Sequence, residues 1–160
     1  MVALTLSAVG PVAWAQEVEV VEIARDRVLL TVAGPDGETT YSIAQFEDIG
    51  VATFVTTTIW TEGPQKFTGV PLHLFVEHLG LTDGSLVARA VNDYAITFPV
   101  EDALQEGPII AYLRNDMLMP LRDKGPLWIV YPFDSEPDFR TEVAHARSIW
   151  QLERIEIQED

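Results

Sequence analysis

The stretch Arg122-Asp123-Lys124-Gly125-Pro126-Leu127-Trp128-Ile129-Val130-Tyr131-Pro132-Phe133-Asp134 places three charged residues and a glycine–proline turn in front of an apolar run. Leu127 to Tyr131 are all apolar or aromatic, which is typical of a strand covered on both faces. Pro132 ends the run, because proline has no N–H to donate to a neighbouring strand. The charged residues therefore stand on a short loop that feeds a buried strand, where they are well placed to meet a ligand. A solvated turn before a core strand explains them equally well.

The composition limits the classes of function. A chain of 160 residues suits one domain with a sizeable core. Its formal net charge of −15 argues against binding nucleic acid or an anionic membrane surface, because both are negatively charged. The sequence has no cysteine, which excludes disulfides, zinc–thiolate sites, thiol nucleophiles and iron–sulfur clusters.

The N-terminal residues have the pattern of an export signal. Residues 2–15 carry no charge and end in Ala13-Trp14-Ala15, with small residues at the positions that precede a secretory cleavage site. The positive residues that usually open such a signal are missing, so a start further upstream or a buried strand are the alternatives. We expect residues 1–15 to be a signal remnant and residues 16–160 to form one domain of a periplasmic protein without direct membrane insertion.

The remaining chain predicts many short strands and a few short helices. The predicted strands are Glu17–Val21, Val28–Val32, Thr39–Ser42, Ala52–Trp60, Leu86–Ala90, Ala95–Pro99, Ile109–Arg114, Met117–Leu121 and Ile149–Ile157. Helices are predicted from a capping box at Ser42 and Gln45 to Gly50, from Pro71 to Gly80, and as a turn within Val100–Glu106. Thr61–Gly69 and Ser135–Ala146 are polar and predict loops, the second of them a long surface loop. The fold class is thus α+β, built mainly on antiparallel or mixed sheet.

Few residues form a familiar catalytic pattern. His73 and His78 are five residues apart on the predicted helix, so they do not share one face as metal ligands would, and His145 stands alone in the predicted loop. No nucleophile elbow or glycine-rich phosphate loop is present. No metal site is therefore expected.

What remains is a set of aromatic and hydrogen-bonding residues at strand ends. The set consists of Trp60, Asn92, Asp93, Tyr94, Arg122, Asp123, Lys124, Arg147, Ser148 and Trp150. A flat heteroaromatic ligand needs a ring to stack on and fixed donors and acceptors at its edge, and these residue types supply both. The alternative is that the tryptophans belong to the core, that Asn-Asp-Tyr is a plain turn and that the basic residues are solvated.

The order of several short motifs resembles the sulfite-oxidase-type molybdopterin-binding fold, and more closely its small exported single-domain members. The motifs are Trp60, Phe67-Thr68-Gly69-Val70-Pro71-Leu72, Asn92-Asp93-Tyr94, Arg122-Asp123-Lys124-Gly125-Pro126-Leu127-Trp128 and Arg147-Ser148-Ile149-Trp150-Gln151-Leu152. The similarity covers about residues 25–157, and its most specific motifs are Phe67–Leu72 and Asp123–Trp128. It implies a sulfite-oxidase-like fold around a pterin pocket.

The chain differs from the catalytic members of the resembled family in one segment. Catalytic relatives bind molybdenum through a cysteine in the segment that here runs from Phe54 to Trp60, whereas this chain has Thr56, Thr57 and Thr58. A threonine hydroxyl is a poor substitute for a soft thiolate. Some cysteine-less members that this chain resembles are exported proteins that bind pterin and relay its status to a membrane receptor controlling cyclic-di-GMP and surface attachment.

By this resemblance Trp60 and Tyr94 become candidate stacking faces, and the other eight residues of the set become edge partners or a second wall. Three hypotheses follow. The first is a non-catalytic sensor of a pterin, reduced free pterin rather than molybdopterin, whose partner is the periplasmic domain of a membrane signalling protein. The second is a molybdopterin-dependent oxidoreductase with an atypical cofactor site. The third is an interaction domain with a vestigial pocket.

Overall fold

The computed structural model describes residues 24–159, which form two five-stranded sheets and a few short helices. The strands are β1 (Val28–Gly34), β2 (Gly37–Ser42), β3 (Ala52–Thr56), β4 (Gln65–Pro71), β5 (Ser85–Ala90), β6 (Ala95–Pro99), β7 (Ile109–Arg114), β8 (Met117–Leu118), β9 (Trp128–Val130) and β10 (Leu152–Gln158). The helices are α1 (Ile43–Ile49), α2 (Leu72–His78), α3 (Val100–Ala103) and α4 (Glu142–Arg147), with 3-10 turns at Leu121–Asp123 and Pro137–Arg140. The α+β class with mostly sheet is confirmed. The predicted signal remnant and the strand Glu17–Val21 lie outside the described residues.

The first sheet has the strand order β2-β1-β10-β5-β6. β1 and β10 run parallel, while every other neighbouring pair in this sheet is antiparallel. The sheet therefore joins the beginning and the end of the described chain. The parallel pair makes it a mixed sheet, which short-range sequence patterns do not reveal because its strands are more than a hundred residues apart.

The second sheet has the order β3-β4-β7-β8, and β9 also pairs with β7. β9 is the apolar run that opens the sequence analysis, and it is fully covered: Trp128, Ile129 and Val130 are all buried. On its other side, the Ile129 amide donates to the Ile149 carbonyl over 2.9 Å. The predicted buried strand is confirmed, and it lies where the second sheet meets the segment that leads into β10.

Two glycines allow close approaches between backbones. A Cβ atom at Gly69 would overlap the Ile110 carbonyl oxygen of the neighbouring strand β7, at a point where the β4–β7 register shifts. A Cβ atom at Gly125 would overlap the Met119 carbonyl oxygen. Both positions require glycine because no side chain fits there. The two most specific motifs of the resemblance are therefore places where the fold itself demands a glycine.

Local signals predicted the first helix well. Ser42 and Gln45 form the expected capping box: the Gln45 side chain accepts from the Ser42 amide over 2.9 Å, and the Ser42 hydroxyl accepts from the Gln45 amide over 3.4 Å. Gly50 follows as the C-cap. The helix then buries Phe46 in the core.

Four predictions of secondary structure were wrong. The polar stretch Thr61–Gly69, predicted as a loop, contains most of strand β4, because Gln65–Gly69 pair with β3. β3 ends at Thr56 and not at Trp60, because Asp134 binds both the amide and the hydroxyl of Thr57 and takes it out of the ladder. The predicted strand Met117–Leu121 is only two residues long. The predicted loop Ser135–Ala146 contains a 3-10 turn and helix α4, whose N-cap is Thr141.

Candidate functional site

A cleft of about 330 Å³ lies between the β5–β6 hairpin, the segment after β3, and helix α4 with the residues that follow it. We call it the aromatic cleft. It is lined by Trp60, Ala90, Asn92, Tyr94, His145, Ala146, Ser148, Ile149 and Trp150. Its volume is near the lower end of the range of about 300–1,000 Å³ for small-molecule sites. The cleft can therefore hold a ligand of a few fused rings.

Trp60 forms the best-supported wall of the aromatic cleft. Its ring meets those of Trp128, Phe133, His145 and Trp150 edge-on, at centroid distances between 5.4 and 6.2 Å. Edge-on packing of this kind is a favoured geometry for aromatic pairs. Four neighbours on different segments thus fix the orientation of the Trp60 ring.

Trp128 is the buried base of this wall. It has no exposed surface, and its indole N–H donates to the Ser148 carbonyl over 3.1 Å. A buried indole needs such a partner, since an unsatisfied donor is costly in the interior. Trp128 therefore ties β9 to the segment that carries Ser148 and Trp150.

Three threonine hydroxyls hold the segment between β3 and Trp60. The Thr56 hydroxyl accepts from the Asp134 amide over 3.1 Å, and the Thr57 hydroxyl donates to the Asp134 carboxylate over 2.6 Å. The Thr58 hydroxyl accepts from the Trp60 amide over 3.1 Å. In the catalytic members of the resembled family this segment carries the metal-binding cysteine. Here all three hydroxyls instead form hydrogen bonds that hold the segment in place.

Asp134 is the acceptor that organises this segment. Its two carboxylate oxygens accept from the hydroxyl and the amide of Thr57, each over 2.6 Å. These bonds favour the charged form and hold the pKa of Asp134 below its ordinary value of 3.8. At neutral pH the carboxylate is therefore a fixed negative clamp on the turn before Trp60.

The opposite wall is the tip of the β5–β6 hairpin. Asp93 adopts a left-handed backbone conformation with φ of 67°, and the Asn92 side-chain oxygen accepts from the Tyr94 amide over 3.2 Å. Tyr94 is 51% exposed although it lines the cleft. The Asn92 NH₂ group makes no hydrogen bond to residues 24–159, so it is free to donate to a ligand.

Five of the ten residues predicted from sequence line the aromatic cleft: Trp60, Asn92, Tyr94, Ser148 and Trp150. Ser148 is almost fully buried and its hydroxyl donates to the Ala144 carbonyl over 2.7 Å, so it closes helix α4. Lys124 lies behind the wall, with its ammonium 4.5 Å from the centre of the Trp150 ring. This is within the range of a cation–π contact.

The other four predicted residues lie outside the cleft lining. Asp123 forms an ion pair with Arg114, and Arg147 forms one with Asp102 over 2.7 Å. Asp93 supplies the turn geometry of the hairpin tip, and Arg122 is exposed on a 3-10 turn.

Arg147 also lies near Tyr131. Burial raises the pKa of Tyr131 above its ordinary value, and the positive charge of Arg147 offsets part of that rise. Arg147 is thus placed to hold the base of helix α4.

Sequence reasoning missed His145 and Gln151. His145 lies on helix α4 and lines the aromatic cleft, and its ring nitrogens have no hydrogen-bond partner within residues 24–159. It was missed because its segment was predicted as a loop. Gln151 donates from its amide to the Lys124 carbonyl over 3.0 Å and accepts from the Val91 amide over 2.9 Å. Gln151 has a left-handed backbone conformation with φ of 52°, which the sequence does not reveal.

His145 separates the aromatic cleft from a second, smaller one. The second cleft has a volume of about 240 Å³ and is lined by Thr57, Thr58, Ile59, Phe133, Asp134, Arg140 and His145. It adds a cation and a carboxylate beside the aromatic cleft. A ligand larger than two fused rings could extend from one cleft into the other past the imidazole.

Within residues 24–159, no group of three or more His, Asp or Glu side chains is arranged to hold a metal ion. No helix in the same range has the length and apolar character needed to cross a membrane. A comparison with protein-family models and one with curated proteins both find no match for this chain.

Proposed function

We propose that the protein binds a reduced pterin in the aromatic cleft and acts as a non-catalytic sensor. The observation that carries the proposal is the pairing of stacking faces with unused hydrogen-bonding groups in one cleft. Trp60, Trp150 and Tyr94 supply the rings. The Asn92 amide and the His145 imidazole supply edge contacts, which a pteridine ring with its amidine and carbonyl edge would satisfy.

The threonine segment supports a binding role over redox catalysis. With no cysteine in the sequence, the soft thiolate that molybdenum enzymes of the resembled family use is missing. The hydroxyls of Thr56, Thr57 and Thr58 are already engaged with neighbouring residues. A pterin would therefore be held by the protein's rings and polar groups without a metal anchor.

The finer fold assignment belongs to the same proposal. We infer a sulfite-oxidase-like fold, and the support is that Gly69 and Gly125, which lie in the two most specific motifs, both occupy positions where a side chain would overlap a neighbouring backbone. A crystal structure of the pterin complex would test fold and site together, since the ring should lie between Trp60 and Tyr94.

Export and the signalling partner complete the proposal. The uncharged residues 2–15 support export to the periplasm, and the resemblance points to the periplasmic domain of a membrane signalling protein as partner. Intact-mass measurement of protein recovered from the periplasm should show a chain cut after Ala15. Recovery of the uncut chain from the cytoplasm alone would contradict it.

Titration of the purified protein with a reduced pterin under anaerobic conditions tests the binding directly. Calorimetry and tryptophan fluorescence should both report a dissociation constant below about 10 µM. Fluorescence is a strong probe because Trp60 and Trp150 line the cleft. Guanosine monophosphate, which shares the pyrimidinone edge, is the matched control ligand. No pterin binding up to about 1 mM would contradict the proposal.

A molybdopterin-dependent oxidoreductase is the second candidate, and the observation that favours it is the second cleft beside His145. That cleft gives a larger cofactor room beyond the first ring. Metal analysis of protein purified from its native host separates the two functions. Stoichiometric molybdenum would favour the enzyme, whereas a copurifying metal-free pterin would favour the sensor.

A further inference from the structure

The outer strands of the two sheets differ in how their free edges are protected. β2 carries Glu38, which is ion-paired with Arg154. β6 packs against helix α4, where the Arg147 guanidinium lies 5.9 Å from the centre of the Phe98 ring. β8 has only two residues. A charge, a covering helix and a short strand are the usual ways in which proteins stop an edge from pairing with another chain.

In the part of the chain that the structure describes, β3 has none of these protections. Residues 49–61 contain no charged residue and no proline, although the chain as a whole has a net charge of −15. Within residues 24–159, β3 pairs with β4 alone, so its other edge has no strand partner. Val51, directly before this strand, and Val55 within it are 55% and 61% exposed. The edge is thus open, apolar and rich in β-branched residues.

The sequence of β3 is complementary to itself when two copies run antiparallel about Thr53. In that register Val51 of one copy lies opposite Val55 of the other, which is a favourable pair of β-branched side chains. Ala52 lies opposite Phe54 of the second copy, so a small residue meets a large one. The same patch would serve both copies, as a twofold interface requires.

The net charge of the chain also indicates what kind of partner can pair with the free edge of β3. Two copies with a net charge of −15 repel each other, so they can approach closely only through an uncharged surface. A basic partner would gain more from the acidic surface elsewhere than from a strand without charge. We propose that the chain forms a twofold dimer in which β3 pairs antiparallel with β3 of a second copy, centred on Thr53.

A lysine at the edge tests the dimer in the full chain. Sedimentation equilibrium should show a monomer–dimer equilibrium that tightens as salt is added, because salt screens the repulsion between the copies. Val55→Lys should weaken dimerisation at least about tenfold, since a charge on an edge strand opposes pairing. Val28→Lys is the matched control, because Val28 is 52% exposed on an interior strand and the charge change is the same.

A wild-type chain that stays monomeric into the millimolar range would overturn the proposal. Equal dimerisation of wild type and Val55→Lys would overturn it as well. Both results are independent of pterin binding, so they leave the proposed function untouched.

The lack of cysteine allows a second test, of the register. Thr53→Cys places one thiol beside its symmetry mate, and mild oxidation should cross-link it to a covalent dimer much faster than Thr97→Cys, an exposed threonine on β6. Residues directly opposite in an antiparallel pair have Cβ atoms about 4.5–5.5 Å apart, close to what a disulfide needs. Equal cross-linking rates for the two variants would overturn the pairing about Thr53.

Discussion

The two walls of the aromatic cleft are built in opposite ways. The Trp60 wall rests on the fully buried Trp128 and is surrounded by rings from β9, helix α4 and the segment before β10. The hairpin wall presents Tyr94, which is half exposed and follows a tight turn. One wall is therefore part of the core, while the other belongs to the surface.

This difference assigns separate tasks to the two walls. A ring fixed by several neighbours loses little freedom when a ligand stacks on it, so it contributes more of its contact energy to affinity. An exposed ring must be ordered on binding, which offsets part of its contact energy. We therefore expect Trp60 to supply affinity and Tyr94 to close the cleft over the ligand.

The largest expected effect comes from removing the base of the buried wall. Trp128→Ala should lower the free energy of unfolding by about 3–5 kcal/mol, because it opens a large cavity and leaves the Ser148 carbonyl without its donor. Urea unfolding followed by circular dichroism measures this loss. Tyr94→Ala is the surface-wall counterpart and should cost far less stability; equal losses would erase the distinction between the walls.

The two walls should also contribute unequally to pterin affinity, with the larger share from Trp60. Trp60→Ala should weaken pterin binding by about 1–3 kcal/mol, the range found for stacking of a base on an aromatic ring. Tyr94→Ala should weaken it by about 1 kcal/mol or less, since this half-exposed ring has more rotational freedom to lose on binding. Calorimetry on both variants, with Trp60→Phe as the variant that keeps a ring, measures the split. A larger loss for Tyr94→Ala would reverse the assignment.

Substitutions of Lys124 test whether its cation–π contact with Trp150 stabilises the Trp60 wall. Lys124→Met should reduce stability by about 0.5–1 kcal/mol through loss of the cation–π contact with Trp150. Lys124→Arg should restore most of it, because the cation is kept. Thermal unfolding of both variants provides the measurement, and identical behaviour of the two would show that the cation is not involved.

The smallest effect concerns the clamp on the threonine segment, and it should be complete at neutral pH and shrink as the pH falls. The pKa of Asp134 is lowered in the folded state, so its contribution to stability is complete above its ordinary value of 3.8 and is lost as the pH falls through the lower folded value. In Asp134→Asn this part of the acid dependence should disappear. Melting temperatures between about pH 7 and pH 2 measure it, and parallel curves for the two proteins would contradict the clamp.

The elements that the sequence predicts well are those with a strong local cause. The buried strand around Trp128 follows from an apolar run between turn residues, and the helix after Ser42 follows from its capping box. Helix α4 was missed because it buries only Ala144, so it shows no apolar stripe. Its remaining signal was Thr141 as an N-cap residue before Glu142.

The site was less predictable than the fold because charged side chains have competing partners. Asp123 and Arg147 are the right residue types for a ligand edge, but Arg114 and Asp102 bind them first. Such pairs join residues that are distant in sequence, and spacing does not reveal them. Trp60 and Trp150 do lie together, with ring centroids 5.4 Å apart, because large aromatic rings are stabilised by packing against each other.

Gln151 gives the cleft a connection to a loop outside it. The Val91 amide at the hairpin tip donates to its carbonyl, while its own amide and side chain donate to the carbonyls of Lys124 and Leu121. A shift of the hairpin tip on ligand binding either breaks the bond from the Val91 amide to the Gln151 carbonyl or moves Gln151 as well. Because Gln151 is bonded to Leu121 and Lys124, its movement would also displace the loop Leu121–Lys124. Occupancy could thus be read at Leu121–Lys124, on an outer surface, while both sheets stay as they are.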